Sequence, residues 1–398
     1  MNLHYLLLCD TQVFSNSCNL KRNNMMSRLH NLDFLRAFAM MMGLVIHAPI
    51  LFTMPDVARD FQIENMPALE SWGWLVMGFI SNWRMPLFFL LSGFFAVLVI
   101  EKKGNPHFIK DRIIRIGITC LLFSAFYDVL DGRVDFTTAH LWFLYELVIF
   151  VLCFSLLYKI QVFKNLVYRT CSPKIFFIIC LWLIATVPLA HILNNSFNPY
   201  ALMPSETFFS LKPGNLLYYF SYFLLGVILY SNQKIFSKLS ENKTIILLGF
   251  LSVLAYLAQL YAASFLYSGV EDIGKIISMK FDTVDVLFNA FTRGANTILW
   301  CLFFIGLASK FIQSGSATLR WFVELSYPIY IVHVIPLPII SAGLYEAGLS
   351  QISNFFLTII IGFIACVFFY YIFIKFTPVN WLLNGYHKSF FQLKLKRS

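Results

Sequence analysis

Ten long, mostly apolar stretches divide the chain, and this pattern limits its fold more than any other feature of the sequence. A helix needs about 20 apolar residues to cross the roughly 30 Å of hydrocarbon in a bilayer. Spanning segments must be helical, because an open sheet edge in lipid would leave backbone groups without hydrogen bonds. We therefore predict an all-α polytopic membrane protein with about ten transmembrane helices, at 35–54, 73–100, 113–130, 139–158, 174–193, 214–231, 244–266, 286–310, 320–341 and 353–375.

The composition supports the membrane class and excludes several others. Of the 398 residues, 59% are hydrophobic and only 13% are charged, whereas about 25% of the residues in soluble domains are charged. So few charges cannot cover a soluble surface, and disordered and collagen-like chains are excluded as well. The eight cysteines show neither metal-ligand spacing nor a disulfide framework, so we expect no metal site.

The charged residues sort by side of the membrane. The N-terminal segment, the even-numbered connections and the C-terminal segment carry 23 of the 30 Lys and Arg residues, and the opposite side carries 14 of the 20 acidic residues. The positive-inside rule then places both termini in the cytoplasm. The net charge of +10 is therefore a topology signal, and we expect no nucleic acid as a partner.

The domain organisation is simple. We expect an N-terminal tail at 1–27, a transmembrane domain at 28–376 and a short basic cytoplasmic tail at 377–398. The first residues lack the basic start and the cleavage site of a signal peptide. We therefore expect either a mis-assigned start, with translation beginning at Met25 or Met26, or a cytoplasmic tail.

Ionisable residues inside the first helix are functional candidates, because such groups are costly in lipid unless they are paired or hydrated. Asp33 and Arg36 are three residues apart, so we expect them to form a structural ion pair. His47 lies about 16 Å deeper, near the bilayer midplane, where an imidazole suits general-base work. The alternative is an ordinary ion pair at a helix end together with a satisfied core histidine.

Two further residues are predicted at the depth of His47. Arg84, in the second helix, is followed by Pro86, which frees a backbone carbonyl. This combination predicts a broken second helix that lines a cavity. The alternative is that Arg84 binds carbonyls and locks helices together. His333, in the ninth helix, is expected at the same depth.

The remaining candidates lie nearer the two membrane faces. Arg112 and Arg115 begin the third helix on the cytoplasmic side and can bind phosphates bidentately, or they are ordinary basic residues of a helix end. On the outer side we expect His140 at the interface, Glu146 deeper, and Arg293 in a polar stripe of the eighth helix. Together these residues predict a polar cavity that opens outward and has a basic mouth on the inner face.

These segments resemble the acyltransferase 3 family of membrane O-acyltransferases. The run from Leu32 to Arg36, followed by His47, is similar to the family's Arg-x10-His motif. Other similar segments are Arg84-Met85-Pro86 with Ser92-Gly93, the Arg112/Arg115 pair, His140-Leu141-Trp142-Phe143-Leu144, and Ser326-Tyr327-Pro328-Ile329-Tyr330 with His333. The resemblance covers roughly residues 28–375, and the layout is most similar to the branch that succinylates periplasmic glucans.

The resemblance implies an enzyme of the bacterial inner (cytoplasmic) membrane. Its reaction would transfer an acyl group, acetyl or succinyl, from cytoplasmic acyl-CoA to a hydroxyl of an extracytoplasmic glycan such as periplasmic glucan or surface polysaccharide. On this expectation His47, Arg84 and His333 act in catalysis. The other expected roles are coenzyme binding by Arg36, Arg112 and Arg115, and substrate binding by His140, Glu146 and Arg293.

Two other function classes stay open at this point. Intramembrane charges also mark transport paths, so the chain could be a transporter or flippase for a glycan or lipid-linked sugar. The third class is a non-catalytic membrane scaffold. An acyltransferase releases free thiol from acyl-CoA and a transporter does not, whereas a scaffold tolerates neutral replacements of His47 or Arg84.

Overall fold

The computed structural model describes residues 29–132, 134–169, 171–202, 204–267 and 284–385. Across these residues the chain forms helices and no β-strand, apart from one isolated bridge between Thr137 and Thr207. The main helices are α1 Leu29–His47, α2 Ser71–Lys103, α3 Asn105–Leu130, α4 Ala139–Leu157, α5 Pro173–Asn194, α6 Pro213–Ser231, α7 Asn242–Tyr267, α8 Val284–Phe311, α9 Ala317–Val332, α10 Pro336–Glu346, α11 Gln351–Ile374 and α12 Val379–Asn384. Shorter helices in the connections are Ile50–Thr53, Pro55–Asp60, Gln161–Val167 and Gln233–Leu239.

The predicted all-α polytopic membrane fold is confirmed. Among the described residues, eight helices are long and apolar enough to cross a bilayer, and the bent pair of α9 and α10 makes a ninth candidate. Helix α1 has 19 residues and takes the place of the first predicted span, where it packs against α2, α8 and α9. Its polar residues, including Asp33, Arg36 and His47, lower its hydropathy. Residues 1–28, with Met25 and Met26, lie outside the described part of the chain.

The break predicted at Pro86 was wrong. Helix α2 continues unbroken from Ser71 to Lys103 with Pro86 in its interior. The break falls instead in the ninth predicted span, where α9 and α10 meet at a bend of 73°. The physical reason lies in Pro336, which has no N–H to continue the backbone ladder.

Local sequence signals explain where several helices start and stop. Ser172, Ser316 and Ser350 precede α5, α9 and α11, and each serine hydroxyl accepts a hydrogen bond from a backbone N–H of the first turn. Gly104 separates α2 from α3 with φ of 84°, a conformation that favours glycine. The two helices therefore turn within one residue, which brings the basic start of α3 back to the end of α2.

Helix α2 is the centre of the bundle, and it packs most closely against α6. Contact at this distance needs residues without a Cβ: a Cβ on Gly93 would lie 1.9 Å from the Phe223 carbonyl oxygen, and one on Gly226 would lie 1.8 Å from the Leu90 carbonyl oxygen. Small residues that let helix backbones touch are a common basis of helix association in membranes. The two glycines thus hold the helix that carries Arg84 against α6.

Both ends of the described chain lie at the same end of the bundle. His30, at the start of α1, and Asn384, at the end of α12, line one cavity together with the basic start of α3. We call this end of the bundle the basic end, and the positive-inside rule assigns it to the cytoplasm.

We predict that Gly93→Ala lowers the stability of the protein by about 1–3 kcal/mol, because the new methyl group forces α2 away from α6. The measurement is thermal unfolding of the purified protein in detergent. The matched control is Gly343→Ala in α10, where an added Cβ meets nothing within 4 Å. Equal melting temperatures for Gly93→Ala and the wild type would contradict the close packing of α2 and α6.

Candidate functional site

Three histidines from three separate helical segments meet in the interior of the bundle. The ring centroid of His333 lies 5.2 Å from that of His47 and 5.4 Å from that of His140. His333 is completely buried, and the other two are half-buried. We call His47, His140 and His333 the histidine cluster. His140, expected at the membrane interface, belongs to this group, because α4 begins with a short turn that directs it toward α9.

The broken end of α9 orients two of these rings. The last backbone hydrogen bond of α9 runs from the His333 N–H to the Ile329 carbonyl at 2.9 Å, so the next two carbonyls accept side chains instead. His333 Nδ1 donates to the Tyr330 carbonyl at 2.6 Å, and His140 Nε2 donates to the Ile331 carbonyl at 3.0 Å. Because a carbonyl only accepts, each neutral ring keeps its other nitrogen as a bare lone pair. His333 Nε2 is buried and has no hydrogen-bond partner.

Arg84 lies beside the histidine cluster. Its guanidinium carbon is 5.9 Å from the centroid of the Tyr330 ring, which itself lies 5.2 Å from the His333 ring. A Cβ on Gly43 of α1 would lie 3.0 Å from Arg84 Nη1, so the arginine approaches α1 one turn before His47. Arg84 is only 6% exposed, yet its Nε and Nη1 atoms have no hydrogen-bond partner. No ion pair in the described ranges includes it.

A cavity of about 490 Å³ opens at the basic end. Four arginines from three helices line it, against the two carboxylates of Asp33 and Glu324; the arginines are Arg36, Arg112, Arg115 and Arg320. The deeper wall is apolar and consists of Met40, Phe88, Phe95, Leu144, Leu147, Val151 and Phe223. We call this space the basic cavity. Its shape combines a cationic mouth with an apolar interior.

The arginines of the basic cavity keep much of their charge available. Arg36 pairs with Asp33 at 3.1 Å, as expected for a structural ion pair. In the part of the chain that the structure describes, Arg112 and Arg115 form ion pairs with Asp111 alone, and each lies 4.0 Å from it. Arg115 Nη2 also donates to the Leu383 carbonyl at 2.9 Å. With more guanidinium groups than carboxylates, the mouth favours an anionic ligand.

The same helices line the basic cavity and carry the histidine cluster. On α1, Met40 lines the cavity seven residues before His47, and on α2, Phe88 lines it four residues after Arg84. On α9, Ser326 lines it seven residues before His333. Spacings of four and seven residues place these side chains on one helix face, about 6 and 10 Å apart along the axis. This end of the cavity is therefore about one turn from Arg84 and two turns from the histidine cluster.

Glu146 and Arg293 form their hydrogen bonds outside the histidine cluster. Glu146 is completely buried and accepts a hydrogen bond from Asn215 Nδ2 at 3.3 Å. Arg293 Nη1 donates to His191 Nε2 at 3.2 Å and to the Asn198 carbonyl at 3.3 Å. The sequence placed Glu146 and Arg293 in one cavity with His140, whereas these hydrogen bonds connect them to α5, α6 and the segment after α5.

No group of three His, Cys, Asp or Glu side chains in the described part of the chain is arranged to hold a metal ion.

Comparison with known proteins assigns the chain to a family. Residues 29–375 match the family model Acyl_transf_3, described as an acyltransferase domain. The chain belongs to the acyltransferase 3 family. This acyltransferase is 23% identical to the glucans biosynthesis protein C of Salmonella typhimurium over 337 residues, which covers 77% of this chain and 81% of that protein. It is 24% identical to glucans biosynthesis protein C of Escherichia coli O139:H28 over 341 residues, with the same coverage. No solved structure matches the chain.

Several residues of this candidate site were given no role by the sequence. His30 and Arg320 line the basic cavity, and Tyr127 and Tyr330 contact the histidine cluster. The sequence signal for this geometry is Pro336 at the break between α9 and α10, because a proline inside an apolar span predicts an interrupted backbone ladder. The aromatic and basic residues have no such signal, since similar residues occur at every helix end.

We predict that Arg84→Met leaves the acyltransferase at least as stable as the wild type. The replacement removes a buried charge whose Nε and Nη1 donors have no hydrogen-bond partner, and this offsets the lost contact with Tyr330. Arg293→Met is the matched control and should lower stability by about 1–3 kcal/mol, because it removes the hydrogen bonds that Arg293 donates to His191 and to the Asn198 carbonyl. The measurement is thermal unfolding in detergent. Equal destabilisation by both variants would show that Arg84 is a structural lock.

Proposed function

We propose that this membrane acyltransferase transfers a short acyl group, acetyl or succinyl, from cytoplasmic acyl-CoA to a hydroxyl of an extracytoplasmic glycan. The observation that carries the proposal is the position of the basic cavity on the same faces of α1, α2 and α9 as His47, Arg84 and His333. A ligand that is anionic at one end and apolar along its length fits the cavity with its reactive end directed toward the histidines.

The basic cavity suits the donor. Acyl-CoA carries phosphates at one end, a neutral pantetheine arm and the acyl thioester at the other end. The guanidinium groups of Arg36, Arg112 and Arg115 bind the phosphates through charge-assisted hydrogen bonds. The apolar wall around Phe88 and Leu144 takes the arm, so the thioester reaches the level of Arg84.

The histidine cluster suits the transfer step. The acceptor hydroxyl oxygen attacks the thioester carbonyl, the carbon–sulfur bond breaks, and coenzyme A leaves as the thiol. His47 or His333 accepts the hydroxyl proton and passes it to the leaving sulfur. Arg84 stabilises the negative charge that develops on the carbonyl oxygen, and its unpaired Nε and Nη1 donors are available for this role.

The acceptor is expected from the end of the bundle opposite the basic cavity. His140 orients the acceptor hydroxyl at the cluster. The curated relatives are named for glucan biosynthesis, which supports a periplasmic glucan as acceptor, with surface polysaccharide as the other candidate. The enzyme would then lie in the bacterial inner membrane. Mass spectrometry of glycans from a deletion strain identifies the acyl group, because acetyl and succinyl differ in mass and charge.

We predict that His47→Ala lowers the release of free thiol from acyl-CoA by about 10²–10⁴-fold, since the reaction loses its general base. The measurement uses membranes that contain equal amounts of folded protein. The control is His107→Ala, an exposed histidine at the start of α3, which should release thiol at the wild-type rate. If His47→Ala released thiol at the wild-type rate, the role assigned to His47 would be refuted. If the wild-type protein released no thiol from acyl-CoA, the proposed function would be refuted.

We also predict that Arg112→Gln and Arg115→Gln each raise the KM for acyl-CoA about tenfold or more, because each removes a charge-assisted hydrogen bond to phosphate. The turnover number should change much less. The matched control is Lys110→Gln, which removes one positive charge from the same turn at an exposed position outside the cavity lining. An equal rise in KM for the control would indicate attraction by general surface charge instead of a built donor site.

A further inference from the structure

Tyr127, near the end of α3, joins this helix to the broken end of α9. Its hydroxyl donates to the Ile331 carbonyl at 2.5 Å, and the residue is only 7% exposed. Its ring packs edge-on against His140, with the centroids 5.1 Å apart and the ring planes 76° from parallel. The carbonyl that binds Tyr127 is the same one that accepts His140 Nε2 at 3.0 Å. Two separate contacts of Tyr127 therefore converge on one histidine.

We propose that Tyr127 is a positioning residue of the acyl-transfer centre, which holds His140 both through the shared Ile331 carbonyl and against its own ring. The proposal rests on the proposed function, because it concerns the geometry of that reaction.

The shared Ile331 carbonyl explains how the Tyr127 hydroxyl affects the position of His140. A carbonyl oxygen has two lone pairs, so Ile331 accepts Tyr127 and His140 together. In an unbroken helix this oxygen would accept the N–H of Ile335, which instead donates to the Val332 carbonyl at 3.1 Å. The tyrosine hydroxyl therefore binds the oxygen atom that the N–H of Ile335 would bind in an unbroken helix. It keeps the end of α9 open at the place where His140 binds.

Tyr127 acts on the reaction only through His140. Its hydroxyl is engaged by Ile331, and it does not line the basic cavity. Loss of the hydroxyl should therefore affect the transfer step and leave donor binding intact. A residue that merely ties α3 to α9 would affect stability and leave turnover per folded molecule unchanged.

The test compares Tyr127→Phe with Tyr145→Phe in the full-length protein in detergent. Tyr145 makes the same kind of bond, since its hydroxyl donates to the Phe208 carbonyl at 2.9 Å and its ring packs against Phe208. We expect Tyr127→Phe to lower kcat about tenfold or more with the KM for acyl-CoA unchanged, because small displacements of a catalytic group are costly. Tyr145→Phe should keep the wild-type kcat. Equal kcat values for the two variants, each corrected for the amount of folded protein, would overturn the proposal.

A double-mutant cycle with His140→Ala separates positioning from an independent effect. If Tyr127 acts through His140, the variant carrying both Tyr127→Phe and His140→Ala is no slower than His140→Ala alone. If the fold losses in kcat of the two single variants multiplied in the double variant, the proposal would be overturned and the proposed function would stand. A wild-type protein that releases no thiol from acyl-CoA would overturn both.

Discussion

The interruption between α9 and α10 is the feature on which the polar centre of the bundle depends. In an unbroken helix each backbone carbonyl accepts an N–H one turn ahead, so it is not available to side chains. The ladder stops at His333, and the carbonyls of Tyr330 and Ile331 take ring N–H groups and a tyrosine hydroxyl instead. In lipid such carbonyls must be satisfied within the protein. The break therefore recruits His140 and Tyr127 and at the same time sets which nitrogen of His333 stays unprotonated.

The charged arginines and the histidine cluster lie at different depths in the bundle. The arginines that favour an anion lie at the basic end, and the histidine cluster lies about three helical turns further into the bundle, since His47 follows Arg36 by eleven residues. Between them the wall is apolar, so a charged group at the mouth gains nothing by moving deeper. This arrangement matches a donor that keeps its phosphates at the cytoplasmic face while its acyl end reaches Arg84. The proposed transfer then needs no movement of charged groups across the bundle.

Close backbone contact holds this arrangement together. Helix α2 carries Arg84 and also lines the basic cavity, and its position against α6 depends on Gly93 and Gly226. Without a hydrophobic driving force between helices in lipid, such packing supplies much of the association energy. Gly93, part of the Ser92-Gly93 pair that resembled a family motif in the sequence, therefore has a direct structural role.

The membrane class, the helical spans, the side of each charged segment and the Asp33–Arg36 pair follow from the sequence, because the cost of polar groups in lipid acts locally along the chain. The sequence also identifies Arg84, His47 and His333 as functional candidates, because each is an ionisable residue inside an apolar span. Only the tertiary structure decided that the break lies at Pro336 and not at Pro86, and that His140 joins the histidine cluster. The same is true of the partners of Arg293, which lie on α5 and in the segment after it. These features depend on which helix faces which, and a hydropathy pattern records only how apolar each helix is.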